Sequence, residues 1–151
     1  DALPISPVVD SSAIPTGEIA SVEGTPMDFR TEKQIGQDIR ADFEQLHFTG
    51  GYDHNYVLGR PGEKKIMANA YCRESGIALE AETDCCGVQF YAGNFIGEQT
   101  GKGGASYHDR SAFCLESQFY PNAVNEPDFP SPVVKAGDTY HTETSYLFYL
   151  R

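Results

Sequence analysis

Phe113-Cys114-Leu115-Glu116-Ser117-Gln118-Phe119-Tyr120-Pro121 reads as a β-strand: aromatic and apolar residues, no glycine inside, and a proline to close it. Side chains alternate between the two faces of a strand. Phe113, Leu115, Ser117 and Phe119 therefore share one face, and Cys114, Glu116, Gln118 and Tyr120 share the other. The first face is apolar enough to seal a core. The second carries a carboxylate, an amide and a phenol, which suits a ligand surface better than a buried one.

The neighbouring segments repeat the pattern of strand and turn. Lys64 to Cys72 alternates, with Ile66, Ala68, Ala70 and Cys72 on one side. Glu74-Ser75-Gly76 is a turn, and Ile77, Leu79 and Ala81 then alternate with Ala78, Glu80 and Glu82. Gly87 to Ile96 sets Val88, Phe90 and Ala92 against Gln89 and Tyr91. Gln99 to Gly104 is a glycine-rich loop, and Pro121 to Asp138 a long surface excursion rich in Pro, Asn and Asp. Thr139 to Leu150 is expected to be a final strand, with Tyr140, Thr142, Thr144, Tyr146, Phe148 and Leu150 on one face. Short strands at this spacing predict an all-β, antiparallel sandwich or barrel. The first third reads differently. Pro15-Thr16-Gly17-Glu18 predicts a turn before a strand over Ile19 to Val22. Ile35, Ile39, Phe43 and Leu46 recur at near-helical spacing and predict a short helix, ended by Thr49-Gly50-Gly51.

Composition narrows the class. With 151 residues, 40% apolar, the chain is expected to form a single domain over residues 1–151. Net charge is -11, from 11 basic and 22 acidic residues. That argues against nucleic acid and anionic membranes as partners, since both need basic patches. No apolar run is long enough to span a bilayer, and Asp1-Ala2-Leu3-Pro4 has none of the marks of a signal peptide. Cys72, Cys85, Cys86 and Cys114 show no C-x-x-C spacing. A bound metal is therefore not expected, and free thiols in a reducing cytoplasm are.

Asp53, Gln89 and Glu116 stand out together. Each sits among aromatics: Tyr52 and Tyr56, Phe90 and Tyr91, Phe113 and Phe119. Rings cover the C–H faces of a sugar while carboxylates and amides take its hydroxyls. Cations are scarce around these residues, with only Arg110 nearby, so a neutral polyhydroxylated ligand fits better than a sugar phosphate. Taken singly, each of the three could also be an ordinary solvated residue on a sandwich face.

Five segments carry a resemblance to the C-terminal half of the aldose 1-epimerases (galactose mutarotases). They are Ile14-Pro15-Thr16-Gly17-Glu18-Ile19, Gly24-Thr25-Pro26-Met27-Asp28-Phe29-Arg30, Gly51-Tyr52-Asp53-His54-Asn55, Gln89-Phe90-Tyr91-Ala92-Gly93-Asn94 and Phe113-Cys114-Leu115-Glu116-Ser117-Gln118. The resemblance implies a large antiparallel sandwich, the galactose mutarotase-like supersandwich, of which this chain would be roughly the C-terminal half. It implies Glu116 as general base, with Asp53 and Gln89 binding the sugar and no cofactor. The substrate implied is a free aldohexose such as galactose or glucose.

Two departures from the family pattern matter. Cys86-Gly87 stands where the family usually has Pro-Gly, which predicts an altered turn and unchanged chemistry. The family's active-site histidines, one of them the general acid, and a sugar-binding arginine lie in the N-terminal half, which these residues do not include. Of the four histidines here, His47, His54, His108 and His141, none matches a family acid, and structural or solvated roles are expected for each. A base without an acid leaves two expectations. One is catalysis completed by a complementary N-terminal chain or, failing that, a homo-oligomer. The other is a carbohydrate-binding module without catalysis. Glycoside hydrolysis, which also sets two carboxylates across a sugar, is the weaker reading of Asp53 and Glu116. The aromatic neighbours of Glu116 are expected to raise its pKa toward neutrality, where a base works best.

Overall fold

A computed structural model describes residues 5–151. Within them the chain forms β1 (Ile5–Val9), β2 (Pro15–Ser21), α1 (Glu44–Thr49), β3 (Asp53–Val57), β4 (Lys65–Tyr71), β5 (Ile77–Thr83), β6 (Gly87–Tyr91), β7 (Gln99–Thr100), β8 (Ser106–Tyr107), β9 (Cys114–Gln118) and β10 (Thr144–Leu150). A single 3-10 turn, Lys102–Gly104, joins β7 to β8. The strands assort into two three-stranded sheets, β3-β6-β9 and β10-β5-β4, and two small ribbons, β1-β2 and β7-β8. Every pairing is antiparallel.

Alternation in β6 divides its sheet into a wet and a dry side. Val88 and Phe90, with Ala92 just beyond, are buried, while Gln89 and Tyr91 face the other way and are only half-buried. The dry side packs on Met67 of β4 and Ala81 of β5 and is covered by Val22, Met27, Ile39 and Leu46 from the long segment before β3. Tyr52 stacks on Phe90, and Phe29 meets both rings edge-on. The hydroxyls of Tyr52 and Tyr56 stay satisfied, because they donate to the Pro26 and Met27 carbonyls. A second cluster, Val57, Cys86, Tyr120, Ala123 and Phe129, closes one end of the wet side. Ala123 and Phe129 thus anchor the excursion that the sequence placed on the surface.

Several local expectations need correction. Ile35, Ile39, Phe43 and Leu46 are all in or against the core, but only Glu44–Thr49 is helical. Their spacing reports burial of a turn-rich segment, and the helix is one turn and a half, ended by Gly50 in the left-handed region at φ 68°. His47 lies within this helix. Pro15-Thr16-Gly17 is part of β2, and the turn falls earlier, where Asp10 Oδ1 accepts the Ser12 and Ile14 amides. In β4 a bulge between Ile66 and Ala68 turns Met67 inward and leaves Ile66 exposed. Cys85 and Cys86 sit in the β5–β6 turn and are both buried. Part of the glycine-rich loop pairs as β7-β8. The last strand begins at Thr144, which leaves Tyr140 and His141 in the preceding irregular segment. All four cysteines are free thiols.

Candidate functional site

The wet face of β3-β6-β9 is a grid of three rows. Asp53, Tyr91 and Cys114 form the first, Asn55, Gln89 and Glu116 the second, Val57, Gly87 and Gln118 the third. The register therefore sets Gln89 directly against Glu116 and puts Asp53 one row away on the neighbouring strand. Gln89 bridges that diagonal: its Nε2 donates to Asp53 Oδ1 at 2.8 Å. The three residues singled out from the sequence thus converge, and they line one open cleft of about 390 Å³ with Tyr91, Phe95, Gln118 and Pro121.

The aromatic setting differs from the one expected. Tyr52, Tyr56 and Phe90 belong to the core on the dry side, and Phe113 meets Phe90 there edge-on. Alternation forbids them from flanking Asp53, Gln89 and Glu116. Only Tyr91 among the six rings lines the cleft. Phe95, from the turn after β6, supplies the second ring, and its amide donates to the Tyr91 hydroxyl at 2.9 Å. A turn residue gives no periodic signal, which is why Phe95 was not legible. Pro121 was missed for the same reason. Gln118 was visible as a polar-face residue, and its place in the cleft follows from the β9 register.

Charge in the cleft is carboxylate only. Glu116 is exposed on the open face. Burial first, and then the Glu116 and Asp53 charges, hold the Cys114 thiol above its usual pKa. Arg110 does not enter the cleft lining, since its guanidinium donates to the Gly50 carbonyl at 2.9 Å. Among the described residues no group of three His, Cys, Asp or Glu could hold a metal ion. No helix among them is long and apolar enough to cross a membrane.

None of the four histidines lines the cleft. His54 is fully buried on the dry side of β3, where its Nδ1 accepts the Asp53 amide, and burial pushes its pKa down to about 4. His47 is exposed on α1, 3.4 Å from Asp42. His108 is exposed after β8 with its Nδ1 3.1 Å from the Ser111 hydroxyl, and His141 is exposed before β10. The cleft lining thus carries two carboxylates, two side-chain amides and a phenol, with no histidine and no cation among them.

Comparison with known proteins places this geometry in context. The sequence model of the family described as aldose 1-epimerase matches residues 2–147. The galactose mutarotase of Sus scrofa is 44% identical over 141 residues, which cover 93% of this chain and 40% of that protein. The aldose 1-epimerase of Escherichia coli K12 is 36% identical over 143 residues, covering 93% of this chain and 41% of that protein. Among solved structures, the GalM/aldose epimerase homologue from C. elegans superimposes with a TM-score of 0.79 at 28% identity, over 99% of this chain and 44% of that one. The chain spans about two fifths of the length of the curated relatives it matches.

Proposed function

The chain belongs to the aldose 1-epimerase family, and from that premise we propose that it is the part of a mutarotase that supplies the general base and the sugar-hydroxyl contacts. The observation that carries this reading is the convergence of Asp53, Gln89 and Glu116 on one open sheet face, in a cleft with two aromatic rings and no cation among its lining residues.

Anomer exchange asks little of a protein. A base removes the proton of the anomeric hydroxyl, an acid protonates the ring oxygen, and the bond between C1 and the ring oxygen breaks. The aldehyde then turns about C1–C2, and closure reverses both proton transfers. Charge and atoms balance with no redox step. Glu116 is the base in this reading. Its exposure within the chain leaves its carboxylate free to meet the anomeric hydroxyl. Asp53 accepts hydrogen bonds from ring hydroxyls, and Gln89 orients Asp53 while contributing to the same hydrogen-bonding surface. Tyr91 and Phe95 cover the C–H faces of an aldohexose such as galactose or glucose.

The acid comes from outside residues 1–151 in this reading. Two observations support that: no histidine lines the cleft, and the relatives are more than twice as long as the matched region. The apolar side chains left exposed on β10, with Phe148 66% and Leu150 81% accessible, are what a covering N-terminal chain would seal. Self-association of the chain would seal them as well. A carbohydrate-binding module without catalysis is the second reading, favoured by the same lack of an acid.

Titration with D-galactose tests the sugar role. Asp53→Ala should weaken binding about tenfold or more, since a hydrogen bond to a charged group is worth roughly 1.5–3 kcal/mol. Unchanged affinity for galactose and glucose would remove Asp53 from the site.

A further inference from the structure

Asn55 stands on β3 directly opposite Gln89 and in the same row as Glu116. It is only 3% exposed, and neither its Oδ1 nor its Nδ2 has a hydrogen-bond partner among the described residues. Gln89 Oε1, on the facing residue, is likewise buried and unpartnered. Buried polar atoms are nearly always paired. Here three unpaired ones belong to two side chains whose Cβ atoms the register brings to about 5 Å. Packing fixes the Asn55 amide in position. A Cβ built on Gly87, in the next row, would meet Asn55 Oδ1 at 2.5 Å and the Tyr120 ring at 3.0 Å, so amide and ring share the space that glycine leaves.

The other half of the Gln89 amide is already committed, with Nε2 donating to Asp53 Oδ1. Turned over, the same amide would aim its oxygen at the carboxylate and repel it. The Asp53 carboxylate thus selects the amide's orientation, and a partner on Gln89 Oε1 would hold the amide there. We propose that Asn55 is a positioning residue for the site: its Nδ2–H reaches Gln89 Oε1 through one buried water, and so locks the line Asn55–Gln89–Asp53 across β3 and β6. A donor, an acceptor and a second acceptor in one place are the partners a buried water takes. Locked in this way, the Asp53 carboxylate keeps one direction toward the cleft. The functional consequence rests on the reading of that cleft as a sugar site; the lock itself does not.

The side-chain amide signals of Gln89 and Asn55 in the 151-residue chain, followed by nuclear magnetic resonance without ligand, test the lock. The wild type should show slowly exchanging Gln89 amide protons and a nuclear Overhauser contact from the Asn55 amide to the Gln89 side chain or to a bound water. Asn55→Leu, close in volume and lacking the amide, should return the Gln89 signals to those of a free amide and weaken galactose binding about tenfold. Gln89 signals unchanged in Asn55→Leu would overturn the proposal. Should that variant not fold, the wild type decides alone: an Asn55 amide that exchanges as freely as in a peptide overturns it. A Gln89 signature that depends on Asn55, in a chain with no affinity for galactose, upholds the lock and contradicts the sugar reading instead.

Discussion

His54 is the neighbour of Asp53 in the chain and faces the opposite way, into the core. Its pKa is pushed from the ordinary 6.5 down to about 4 by burial. The unfolded chain therefore binds more protons than the folded one between those two values. Stability is greatest above pH 6.5 and is lost as the pH falls toward 4. Between pH 7 and pH 5 the loss assigned to His54 is about 2 kcal/mol. Asp28 does not confuse this window, because the Arg30 side chain holds its carboxyl far below the usual range and its contribution fails only in stronger acid. Urea midpoints at pH 7 and pH 5 check the point: the wild type should lose stability over this range and His54→Gln should lose much less. An equal fall in both would mean that His54 is not the group responsible. Alternation within Tyr52-Asp53-His54-Asn55 already separates Asp53 from His54 in the sequence. It does not show that Asn55 would be buried, because its surroundings come from elsewhere in the chain: its amide lies beside Gly87, where the Tyr120 ring also packs.

At the scale of elements, β6 shows what a sequence reveals and what it leaves out. Its alternation assigns Gln89 to the wet face and Val88 and Phe90 to the dry one with no reference to other strands. Its register against β3 and β9 is long-range, so the pairing of Gln89 with Glu116 and the diagonal to Asp53 appear only in the fold. The antiparallel strands were legible because each is a local pattern. The helix was overextended because Ile35, Ile39 and Phe43 are buried by turns, and burial at intervals of three or four residues imitates a helix face. The β4 bulge was invisible because a single extra residue shifts the faces without altering composition. Gly87 is where element and site meet. Gly87→Ala would push a methyl group into Asn55 and Tyr120, and overpacking of this kind costs roughly 1–3 kcal/mol. A lowered urea midpoint is the expected result, and an unchanged one would show that Asn55 and Tyr120 can move aside freely.

The whole molecule is a family fold seen over part of its length, with β10 at the edge of its sheet and apolar side chains exposed along it. Open edges and uncovered apolar faces invite association. Light scattering of the purified chain should therefore give a mass above the 16.6 kDa of one copy, or show binding to a complementary N-terminal chain. The central claim is that Glu116 is the base and that the acid lies elsewhere. Polarimetry of fresh α-D-galactose at neutral pH addresses both halves directly. The chain alone should match the buffer rate. Joined to an N-terminal half from a relative, it should accelerate mutarotation, and Glu116→Gln should reduce that rate about a hundredfold or more, as general-base contributions require. Near-normal mutarotation in the joined Glu116→Gln protein would contradict the account, as would a monomeric 151-residue chain that outpaces the buffer unaided.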